Sequence, residues 1–66
     1  MFAVRRRKVV INLLDGRALM GERHLSWPWQ VVLSGAHLAE RGHDPVAIDG
    51  RVIVPRFRID FIQVVG

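Results

Sequence analysis

Glycine and proline cut this sequence so often that the pieces between them have the length of strands rather than of helices. The clearest cut is Asp15-Gly16, two residues that tolerate positive φ and so favour a tight turn between two extended runs. Before it, over residues 8–14, Val9, Ile11 and Leu13 share one face by the two-residue period of a strand. Val10, Asn12 and Leu14 take the other face, which is therefore not cleanly polar. A second strand is predicted over about residues 17–25, with Leu19 inward and a bend at Gly21. Trp27-Pro28-Trp29 forms a loop tip, because proline cannot donate to a sheet ladder. A third strand follows over residues 30–38, with Val31 and Leu33 inward and a break at Ser34-Gly35. Gly42, Asp44-Pro45 and Asp49-Gly50 make residues 39–50 a long connection, with room for a short hairpin. Residues 51–54 and 59–65 complete the set, separated by Pro55-Arg56-Phe57-Arg58. Only residues 35–42 have helix-friendly content, and a glycine at each end leaves too short a run for a stable helix.

Five short strands at this spacing predict an all-β barrel or sandwich. With 66 residues there is room for one domain, at residues 9–66, preceded by a basic arm at residues 1–8. A chain so short buries only about 60% of the surface that its unfolded form exposes. Small domains offset this with disulfides, a metal or oligomerisation. Cysteine is absent, and His24, His37 and His43 lack the spacing of a compact ligand pair, so no metal or other cofactor is expected. Oligomerisation or docking on a partner is left as the further source of stability. No apolar run approaches the ~20 residues of a membrane span, and the charges of the first eight residues follow the apolar ones with no h-region behind them. That pattern does not read as a secretory signal, and it predicts a place in the bacterial cytoplasm or in a particle assembled there, with no membrane partner.

The stretch from Val10 to Gly21, with its apolar strand, Asp15-Gly16 turn, Leu19 and bent Gly21, resembles the first half of the Sm-like (LSm) signature. Val31-Val32-Leu33 followed by Ala36 is similar to the end of that motif. Asp49-Gly50-Arg51-Val52-Ile53-Val54 with Ile59, Phe61 and Ile62 resembles the second motif. The resemblance covers about residues 9–65 and implies a strongly bent five-stranded, SH3-like small barrel. It also implies rings in which the fourth strand of one subunit pairs with the fifth of the next. Arg51, Val52, Ile53, Val54, Ile59, Phe61 and Gln63 are the interface residues this predicts, with Trp27 as a further contact. The RNA site of such rings carries over poorly: Ser26-Trp27 stands where the family has an aspartate, Gln30 where it has an asparagine, and Pro55-Arg56 where it has Arg-Gly. The segment from Asp49 to Val64 is also similar to small proteins of actinobacterial tailed bacteriophages, which implies a virion or particle-assembly role with phage structural proteins as partners.

Net charge is +4, and four of the ten basic residues are Arg5, Arg6, Arg7 and Lys8. Such a cluster can neutralise nucleic-acid phosphates, or can be a solvated arm that protects an edge strand. With Gln30, Arg56 and Arg58 it makes up the candidate nucleic-acid surface. The two tryptophans can plug the barrel, anchor a protein interface or stack on bases; Trp29, beside a strand, is the core candidate and Trp27 the contact. Asp60 is sent outward by the alternation and can meet an arginine of a neighbouring subunit. Catalytic residues are not found. The six carboxylates are scattered, Ser26 and Ser34 have no histidine beside them in a recognisable motif, and no phosphate loop or nucleophile elbow occurs. A barrel of this size also offers little concave space for a small-molecule substrate. The sequence therefore predicts a non-enzymatic barrel that assembles with itself or with phage structural proteins, with a ring that binds RNA or single-stranded nucleic acid as the alternative.

Overall fold

The computed structural model describes residues 7–24 and 28–65. It is all-β: β1 (Arg7–Leu13), β2 (Ala18–Arg23), β3 (Gln30–Ala39), β4 (Val46–Pro55) and β5 (Ile59–Val64), with a single 3-10 turn at Arg56–Arg58 between the last two. All pairings are antiparallel, and the strands lie in the order β4-β3-β2-β1-β5. Four strands thus form a meander, and the fifth returns to the free side of β1. Val54 and Ile48 of β4 pack against the same apolar cluster as Ile59 and Ile62 of β5, although those strands end the sheet on opposite sides. The sheet is therefore curled around its core, yet it stays open, since β4 and β5 each pair on one side only.

The core follows from the alternation. Val9 and Ile11 of β1, Leu19 of β2, Val31, Leu33 and Ala36 of β3, and Val54 of β4 are buried, and no polar side chain is buried among the described residues. In β3 the inward positions step from Leu33 to Ala36, three residues rather than two. A bulge against β2 accounts for it: Met20 faces His37 and Glu22 faces Ser34, so Gly35 and Ala36 together oppose Gly21. Gly35 has φ +58° and Gly50 φ +77°, values that favour glycine. On the other side of β3 the extra residue is on β4: Ser34 faces Arg51 and Ala36 faces Ile48, so Asp49 and Gly50 together oppose Gly35. One line of glycines, Gly21, Gly35 and Gly50, thus crosses three adjacent strands, and the sheet bends along it.

The Asp15-Gly16 turn forms as expected. The Gly16 N–H donates to the Leu13 carbonyl at 3.1 Å, the Leu13 N–H donates to the Arg17 carbonyl at 2.8 Å, and Gly16 takes φ +91°. Two expectations need correction. Residues 39–50 are not a long connection. β3 runs to Ala39, the chain reverses around Gly42, where the His43 N–H donates to the Glu40 carbonyl at 3.1 Å, and β4 already starts at Val46. Asp49-Gly50 marks a bulge within that strand rather than a turn before it. Trp29 is not a core residue either. It lies in the turn before β3 with 64% of its surface exposed, because the first inward position of the strand is Val31. Trp27, the other half of that motif, lies outside the described residues, as do Arg5 and Arg6.

Candidate assembly edges and rim

An edge strand leaves a row of backbone N–H and C=O groups without sheet partners, and its outward side chains decide whether another strand can join it. On β4 those side chains include Val46 and Ile53, the latter 58% exposed, together with Arg51. Val54, an expected interface residue, is instead a buried core residue; its side chain is turned inward opposite Val31. Val52 is half-buried and packs against the same cluster, so β4 offers its edge through its backbone and through Ile53.

On β5 the register with β1 shifts between Asn12 and Leu13: Asn12 faces Phe61, while Leu13 faces Ile59. Ile59 and Ile62 consequently turn toward the core, and both Asp60 and Phe61 are exposed, Phe61 by 52%. Ile59 is thus a core-packing residue, whereas Phe61, Gln63 and Val64 are presented outward. The Asn12 side-chain amide donates to Gln63 Oε1 at 3.2 Å, which ties β5 to β1 on the outer face.

The candidate nucleic-acid residues are divided. Arg7 and Lys8 are exposed residues of β1, opposite Arg23 and Glu22 of β2. Gln30 faces Pro55, and the Arg56 N–H donates to the Trp29 carbonyl at 2.9 Å, so Trp29, Gln30 and Arg56 come together at one rim of the barrel. Arg58, at the other end of the 3-10 turn, accepts the Leu14 N–H on its carbonyl at 2.9 Å. Arg7 and Leu13 are the two ends of β1, so roughly 20 Å of strand separates Arg7 from the end of β1 that Arg58 adjoins.

Three features were beyond sequence reasoning. His24 Nε2 lies 2.6 Å from Ser34 Oγ, in a partly buried hydrogen bond that forms because β2 and β3 are neighbours. Only the strand register could have revealed it. At the β1–β2 turn, Asp15 accepts the Arg17 backbone N–H at 3.0 Å and pairs with its guanidinium at 2.7 Å. The side-chain hydrogen bond from Arg17 chiefly, and the backbone one next, hold the Asp15 carboxyl below the usual range. Arg17 also reaches Glu40 at 3.9 Å, linking this turn to the β3–β4 turn. An open groove of about 390 Å³ is bordered by Lys8, Val10, Met20, Gly35 and His37.

Among the described residues no three metal-binding side chains lie close enough to hold an ion, and no helix is long and apolar enough to cross a membrane. The chain matches no family model and no curated protein at a significant level.

Proposed function

We propose that this chain is a non-catalytic assembly subunit that joins copies of itself by adding the β4 edge of one to the β5 edge of the next. The observation that carries this reading is the pair of open edges at opposite ends of one strand order, each with exposed apolar side chains, Val46 and Ile53 on one and Phe61 and Val64 on the other. Strand addition supplies main-chain hydrogen bonds, and outward side chains give it specificity. Because the two edges are different surfaces, their contact is heterologous and generates a ring if the rotation closes or a filament if it does not. The core of a 66-residue chain is small, so extra burial at such a contact contributes a large share of its stability. The phage-like character of residues 49–64 favours a particle as the setting, with phage structural proteins as the neighbours.

Sedimentation of the full chain over a wide concentration range tests the proposal. Self-association that weakens in Ile53→Lys and in Phe61→Lys is the expected result. A folded monomer at every concentration removes it.

A further inference from the structure

We draw no further inference here: the strongest candidate, the open groove bordered by Lys8 and Val10 of β1, Met20 of β2 and Gly35 and His37 of β3, carries nothing, because nothing in the structure shows what covers it.

Discussion

At Gly21 an added β-carbon would lie 2.9 Å from the Ser34 carbonyl oxygen and 3.2 Å from the Ala36 Cα, and both are backbone atoms of the neighbouring strand. Neither can yield without opening the β2–β3 pairing at the bend. Gly21→Ala should therefore destabilise the fold by about 1–3 kcal/mol, the usual cost of overpacking. Gly42 is the contrast: nothing lies within 4 Å of its added β-carbon, and its φ of +81° leaves only backbone strain of about 1 kcal/mol. Urea midpoints should rank Gly21→Ala below Gly42→Ala. The Asp15–Arg17 pair gives a pH prediction. The folded carboxyl titrates below its ordinary value of 3.8, so the stability it contributes is present above that pH and is lost as pH falls through the folded pKa. In Asp15→Asn the melting temperature should change less with pH below about 4 than in the wild type. Individual inward residues were legible in the sequence: Leu19, Val31 and Leu33 are buried where a two-residue period puts them. Trp29 was not, because hydrophobicity says nothing about which side of the first inward position a residue falls.

At the scale of elements, β1, β2 and β3 pair on both sides, whereas β4 and β5 pair on one. Backbone hydrogen exchange should follow that division in dilute protein, with Val9–Ile11 and Val31–Leu33 amides the slowest and β4 and β5 amides the fastest. On assembly, protection should rise on β4 and β5 together; a rise on one alone would contradict a β4-to-β5 contact. The strands themselves were mostly legible, since breakers and period agree for β1 and β3. β4 was misread because Asp-Gly signals a turn and a bulge alike, and only the pairing of Asp49-Gly50 with Gly35 of β3 decides between them. The outward turn of Phe61 has the same origin: Asn12 faces Phe61 and Leu13 faces Ile59, so Asp60 is an extra residue on β5 that only the pairing with β1 reveals. A bulge shows only once its strand is paired with a neighbour, and the same holds for the His24–Ser34 bond.

For the whole molecule, a curled sheet with two unlike open edges gives head-to-tail contact a specific signature. Ile53→Lys impairs the β4 edge and leaves β5 intact, and Phe61→Lys does the reverse. Both substitutions fall on exposed positions, so each variant should fold. Alone, each should sediment mainly as a monomer under conditions where the wild type associates. Mixed in equal amounts, they retain one β5 edge and one β4 edge between them, and the account predicts a heterodimer that grows no further. The most direct measurement is therefore the sedimentation of that mixture beside the wild type and the separate variants. A species of twice the chain mass, formed only on mixing, is the predicted result; a mixture that stays monomeric while the wild type associates, or either variant dimerising alone as strongly as the wild type, would contradict it.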